Sequence, residues 1–424
     1  VTSPPPTFSR VDLFTDRKGA AWLTPIDLDA DGFDELLLSC LSEGPTLLAV
    51  PPIGPGGAYV LKRDGGAPQG TVGTWSVAAK AFNYFDGVLF PNRSSVFDVD
   101  NDGIDDWVIA AGFLVRPIGK IVWMKGEMTG KQLSFGAKQE LAIPDTSRWY
   151  HKVVPIDFDK DGDMDFVTTH HDGTPQKPGM SRLEWFENDG IIGQAQFTHH
   201  HIADRGGVHI ELHDLDGDGD LDVLLPQFFD GPSLLWMEHP GDPNGVWVEH
   251  TIDSVTGKGF DVQVVDLDGN GKLDVVYNNH NHQLSQDPNE QVMGVYWWEI
   301  PDPSMIHTMT NWDANKRIVH EGFTVDAPDP NANGAPGPFR VGDVDGDGDL
   351  DVSVAGDGDA GSYVFVQNAG SQFQKVQIDS GLIMSADHVM MDLNGDGKQD
   401  YVWAVYGNTG IQGPNSMIYG YIQN

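Results

Sequence analysis

The chain has 424 residues, with 63 acidic against 25 basic side chains, a formal charge of -38 at pH 7 and a single cysteine, Cys40. That charge opposes binding to nucleic acid or anionic membrane, one cysteine excludes an internal disulfide, and no apolar run reaches the ~20 residues that span a bilayer as a helix. Stability must therefore come from an apolar core and from whatever neutralises the acids.

The first predicted element is a strand over residues 7–14, apolar and polar in alternation. After it comes the first of seven acidic loops of the form D-x-D-x-D-G-x-x-D. Their candidate metal ligands are Asp27, Asp29, Asp31 and Glu35; Asp98, Asp100, Asp102 and Asp106; Asp157, Asp159, Asp161 and Asp165; Asp214, Asp216, Asp218 and Asp222; Asp266, Asp268, Asn270 and Asp274; Asp343, Asp345, Asp347 and Asp351; Asp392, Asn394, Asp396 and Asp400. Oxygen ligands at alternate positions of a tight turn suit a hard, flexible cation, and the glycine after the third acid permits the turn. Several structural Ca2+ ions are the expected cofactors, and loops five and seven, with Asn270 and Asn394, are expected to empty first.

The same strands flank each loop. An apolar strand enters it (95–97, 153–156, 262–265), a second leaves it (106–110, 222–225, 274–277), a third carries aromatics (121–124, 183–186, 235–238, 295–298, 363–366), and a fourth is polar (197–202, 246–252, 373–378). First ligands lie 71, 59, 57, 52, 77 and 49 residues apart, the length of a four-stranded blade. Only two strands follow the seventh loop, so residues 7–14 supply the missing outer strand of the last blade and close the ring. The expected fold is an all-β seven-bladed β-propeller, one domain over residues 1–424, with blades beginning near 21, 93, 151, 208, 260, 339 and 387. An EF-hand needs glutamate at position twelve, where the first loop has Leu38.

The ninth-position acid and flanking strands resemble FG-GAP or VCBS-type repeats. That resemblance implies a calcium-bound propeller and says little about activity, because such propellers serve as adhesion heads, lectins and enzymes.

The acidic loops define a bottom face, and the blade-to-blade connections and second-to-third-strand loops define a top face. His151, His209 and His388 precede innermost strands there, and His170, His171, His280 and His282 lie in rim loops. Arg93, His151, His209, Asp261, Arg340 and His388 come from six blades and converge on the axis, which points to one asymmetric central site rather than repeated equivalent ones. Candidate catalytic residues are His151, His209, Tyr150, Arg93, Arg340 and His388; candidate substrate-binding residues are His170, His171, Arg182, His280 and Asp261. A base tuned near neutrality beside a fixed positive charge suits elimination next to a carbonyl or carboxylate. Aromatic and amide side chains on the same face (Tyr84, Phe85, Asn278, Asn279, Gln283) suit sugars. The expected function is a carbohydrate lyase or dehydratase acting on a sugar or sugar-derived small molecule, and the alternative is a non-catalytic lectin or adhesion head. A glycoside hydrolase would need a second carboxylate beside Asp261. One Zn2+ held by His209, Asp261 and His151 or His280 is a further expectation.

The histidine before an innermost strand and the calcium-type loop after it, His151 to Asp157, also resemble the propeller domain of fungal aldos-2-ulose dehydratase. That resemblance implies a zinc-bound ketose and His151 as acid–base. The chain begins Val-Thr-Ser-Pro-Pro-Pro without methionine and carries one sequon, Asn92-Arg93-Ser94, so a secreted, extracellular protein is expected.

Overall fold

The computed structural model describes residues 5–15, 19–41, 43, 55–64, 70–112, 119–143, 148–171, 180–228, 231–281, 292–326, 334–368, 370–382, 384–406 and 417–424. Among them the strands form seven four-stranded antiparallel sheets. The first strands are Ala20–Ile26, Pro91–Phe97, Trp149–Ile156, Glu211–His213, Gly259–Val265, Phe339–Gly342 and Ser385–Met391. First strands of most neighbouring blades touch one another, which places them around the axis, with later strands of each blade stepping outward. This is a seven-bladed β-propeller.

The core lies between the blades. The second and third strands of each blade have apolar residues on both sides, so every sheet buries one face against each neighbour. Leu224 and Trp236 of blade four pack on Val275, Tyr277 and Trp298 of blade five, and equivalent clusters fill the other six junctions. The ring closes as expected. Phe8–Phe14 runs antiparallel to Met417–Gln423, with Phe8 opposite Gln423 and Val11 opposite Gly420. Leu13 then joins Leu36, Leu38, Val402 and Ile418 in the cluster between the last blade and the first. No described helix is long and apolar enough to cross a membrane.

One sequence reading needs correction. Asn92 of the sequon is 0% exposed, and its side chain donates to the Tyr150 carbonyl at 3.0 Å, so it is no glycan acceptor in the folded protein.

Candidate functional site

On the bottom face each acidic loop is a hydrogen-bonded corner. The ninth-position acid accepts from the backbone N–H just after the first acid in all seven blades: Glu35 from Leu28 (2.8 Å), Asp106 from Val99 (2.9 Å), Asp165 from Phe158 (3.1 Å), Asp222 from Leu215 (2.9 Å), Asp274 from Leu267 (2.8 Å), Asp351 from Val344 (2.9 Å) and Asp400 from Leu393 (3.0 Å). In five blades its second oxygen accepts from the third strand, at Gly126, Asn188, His239, Gln367 and Gln423. The turn itself needs glycine, with φ of 89° at Gly32 and 102° at Gly162. Burial pushes these carboxyls up, to about 7 in Asp165, Asp222 and Asp274 and about 6 in Asp106, Asp351 and Asp400. Buried carboxylates gathered within 4.8 Å of further acids, as Asp157, Asp159 and Asp165 are, fit a divalent cation.

The loops are not equivalent. Across the ladder from the ninth acid, one step along each strand pairing, stand Lys62, Lys125, Glu187, Glu238, Glu299, Val366 and Ile422. The Lys62 ammonium contacts Asp29 and lies 3.0 Å from Glu35; that of Lys125 contacts Asp100 and lies 2.6 Å from Asp102. Their own hydrogen bonds to Asp29 and Asp100 raise both lysine pKa values. Loops one and two thus carry a built-in ammonium, whereas three to five gain a further carboxylate and loop five also has Arg317 3.2 Å from Asp268. In loop five Glu299 accepts from the Asn270 amide at 2.9 Å, which restores an acid where the sequence had lost one. Loop seven, facing Ile422, has no such replacement.

The top mouth is built by one register position. Five residues before the first acid of each loop stand Trp22, Arg93, Lys152, His209, Asp261, Pro338 and Asp387. A β-bulge falls at or beside this position in five first strands, between Ala20 and Trp22, Pro91 and Ser94, Tyr150 and Val153, Gly259 and Asp261, and Ser385 and Asp387. Bulges re-aim side chains, and here they turn a mixed set inward. Asp387 Oδ1 accepts from Arg93 (2.9 Å) and Arg340 (2.5 Å), Asp387 Oδ2 from the Leu23 N–H (3.2 Å), and Arg340 lies 3.6 Å from Asp261. Lys152 donates to the Ile210 carbonyl at 3.0 Å, and Glu211 is raised by burial.

Above these ions runs a chain of rings. Trp149 meets His171 (5.3 Å) and His151 (6.3 Å), His151 meets His209 (5.1 Å), and Trp22 contacts both imidazoles. His209 then meets Phe260 (5.1 Å), which stacks on His280 (4.7 Å). The Arg93 guanidinium sits over Trp22 at 5.3 Å. His209 is 1% exposed and neither of its ring nitrogens has a hydrogen-bond partner. Burial, then Arg93 and neighbouring cations, holds its pKa well below the ordinary imidazole value. Burial likewise lowers His151 to about 3, reinforced by Arg93 and Lys152.

The structure thus gathers His151, His209, Arg93, Arg340 and Asp261 at the mouth and places the other candidates elsewhere. His388 stacks on Trp403 (4.3 Å) and bonds Ser353 (2.7 Å) inside the last blades. Tyr150 is a buried core residue against His170 (5.3 Å), and His170 faces the buried Glu184 (2.6 Å), shared with His199. His171 bonds Ser181 (2.7 Å), and Arg182 lies on the rim beside Asp204 (3.4 Å). His280 pairs with the Pro336 carbonyl (2.9 Å), and Phe260 stands between it and His209. His282 and Gln283 lie outside the described residues. Trp22, Lys152, Glu211 and Asp387 were missed; aligning the repeats on their first acid would have found Trp22, Lys152 and Asp387.

The fold and its bottom-face corners define a seven-bladed propeller of the acidic-loop class. Residues 98–168, 214–277 and 343–409 match the family model described as FG-GAP-like repeat, so the chain carries FG-GAP-like repeats. No curated protein matches the chain. Similar solved structures include the α-L-arabinofuranosidase Arb93A from Fusarium graminearum with an iminosugar inhibitor (12% identity, TM-score 0.45, 98% of each chain covered). The GH93 α-L-arabinofuranosidase of the same fungus with arabinobiose is also similar (13%, 0.45, 98% of each). So is a Penicillium chrysogenum α-L-arabinanase with arabinobiose (11%, 0.47, 99% of each).

Two outcomes are expected. Protein equilibrated with calcium should hold about five ions per chain, because Lys62 and Lys125 fill two of the seven loops, and Lys125→Glu should add one; seven ions in the unaltered chain would contradict this. The second concerns acid. An ordinary imidazole titrates near 6.5 and folded His151 near 3, so its contribution is complete above about 6.5 and is lost as pH falls, by about 2 kcal/mol at pH 5. The stability gap between the unaltered protein and His151→Gln should therefore shrink between pH 7 and pH 4 in denaturant titrations; a constant gap would contradict it.

Proposed function

We propose that the top mouth is a carbohydrate site and that the protein is an eliminating enzyme with His209 as its proton-transferring group. The carrying observation is the buried His209 imidazole, unpartnered at both nitrogens, among aromatic faces and beside Arg93 and Arg340. Phe85, 80% exposed with the Tyr84 ring tilted against it at 4.0 Å, offers a flat face for a sugar ring on a connection of the same face.

The chemistry follows from the charges. A lowered pKa keeps His209 neutral, with a lone pair available, while the nearby cations oppose an imidazolium. That opposition falls as negative charge grows on a substrate carbonyl or carboxylate beside the arginines, so the proton moves most readily in the transition state. His209 takes the proton next to the carbonyl, the C–H electron pair forms the new C=C bond, the β C–O bond breaks, and the departing oxygen receives the proton from His209. Arg93 and Arg340 bear on the enolate oxygen. Calcium-type cations in the bottom loops serve this reading only by fixing the inner strands.

His209→Asn should lower turnover by about 10²–10⁴-fold on a uronate- or ketose-containing substrate, with an unchanged melting temperature. The assay follows the absorbance of the unsaturated product. Saturated reducing ends instead would indicate hydrolysis, and tight binding without any product would favour the lectin reading; either would overturn the proposal.

A further inference from the structure

A second cluster lies on the flank of blade four, away from the mouth. Glu238 ends the third strand, Leu234–Glu238, and His250 lies beside it in the outer strand, Val248–Asp253. His307 comes from blade five, just after the one-turn helix Pro303–Ile306. His250 Nε2 is 2.6 Å and His307 Nδ1 is 3.5 Å from Glu238 Oε2, and one ligand atom from each residue lies within 4.8 Å of the others. The segment bearing His307 is fixed on both sides: Ile306 is buried in the core between blades four and five, and the Trp312 N–H donates to the Ile252 carbonyl at 2.8 Å.

Repetition supplies an internal control. In blade three His200 stacks on Trp185 (4.3 Å) and meets Glu187 (2.6 Å), as His250 stacks on Trp236 (4.3 Å) and meets Glu238. In blade five the same position holds Arg317 over Trp297, at 4.4 Å. In blades three to five the position thus carries a nitrogen-bearing side chain on an indole. Among the described residues, the three-residue groupings of metal-ligand type include Glu238, His250 and His307, where an imidazole from blade five joins the blade-four pair.

We propose that Glu238, His250 and His307 form a binding site for a divalent transition-metal ion of the zinc class. Two imidazoles and one carboxylate make a borderline-soft nitrogen and oxygen set, unlike the all-oxygen loops that suit calcium. His307 Nε2 lies 3.2 Å from Asp216 Oδ2. With Nε2–H donating there, the Nδ1 lone pair faces the Glu238 carboxylate, and a cation between them converts two opposed acceptors into two ligands. Asp216 then orients the ligand as outer carboxylates do around zinc. His307 is 42% exposed at side-chain level, so the remaining coordination position opens to water or to a second molecule.

The test is calorimetric titration with zinc of the full chain, stripped by chelator and then kept in excess calcium so that the acidic loops are filled. One zinc per chain is expected. His250→Asn and His307→Asn should each weaken binding more than about tenfold, while His200→Asn leaves it unchanged. His307 is 42% exposed and, among the described residues, touches the core only at the Trp236 ring, so its variant decides the matter even if His250→Asn unfolds the blade. No saturable zinc binding in calcium, or binding that survives His307→Asn, would overturn the proposal.

Discussion

The structure depends on one repeated contact, a buried carboxylate that ends the acidic loop and accepts the backbone N–H just after the loop's first acid. It fixes the corner between first and second strands in every blade, and in five blades its second oxygen also holds the third strand. A carboxylate with both oxygens engaged inside a protein needs nearby positive charge. Blades one and two supply it from their own lysines, and blade five brings Arg317 to within 3.2 Å of Asp268. The formal charge of -38 is therefore concentrated where the architecture uses it.

Fixing the lower end of each first strand also fixes its upper end, one strand length away. There the seven blades diverge: the same register position holds an indole, a guanidinium, an ammonium, an imidazole, two carboxylates and a proline. Asp387 takes two arginines from blades two and six, and Arg340 reaches on toward Asp261, so the ions tie distant blades together across the channel. His209 lies beside this network with neither ring nitrogen bonded to it.

The fold was legible because its signals are local: the acidic turn, the alternation of strands and the lone strand at 7–14 that only a ring can use. The mouth was half legible. His151 and His209 were found by their place before a first strand, but the same logic selected His388, which turns into the blade to stack on Trp403. Whether such a residue faces the axis or a neighbouring blade depends on bulges, and a bulge leaves no reliable mark in one sequence. Lys62 and Lys125 were invisible for another reason: they lie about 30 residues from the acids they neutralise, and only the ladder brings them together. His307 belongs to blade five by sequence and lies against Glu238 and His250 of blade four.

The most direct measurement is native-state hydrogen exchange at the backbone N–H groups of Leu28, Val99, Phe158, Leu215, Leu267, Val344 and Leu393, with calcium and after chelation. All seven should be strongly protected in calcium. On chelation, protection should persist at Leu28 and Val99, where lysine supplies the charge, and fall at the other five, most at Leu393, where Ile422 replaces the extra acid. Equal loss at all seven sites, or no loss at any, would contradict the account.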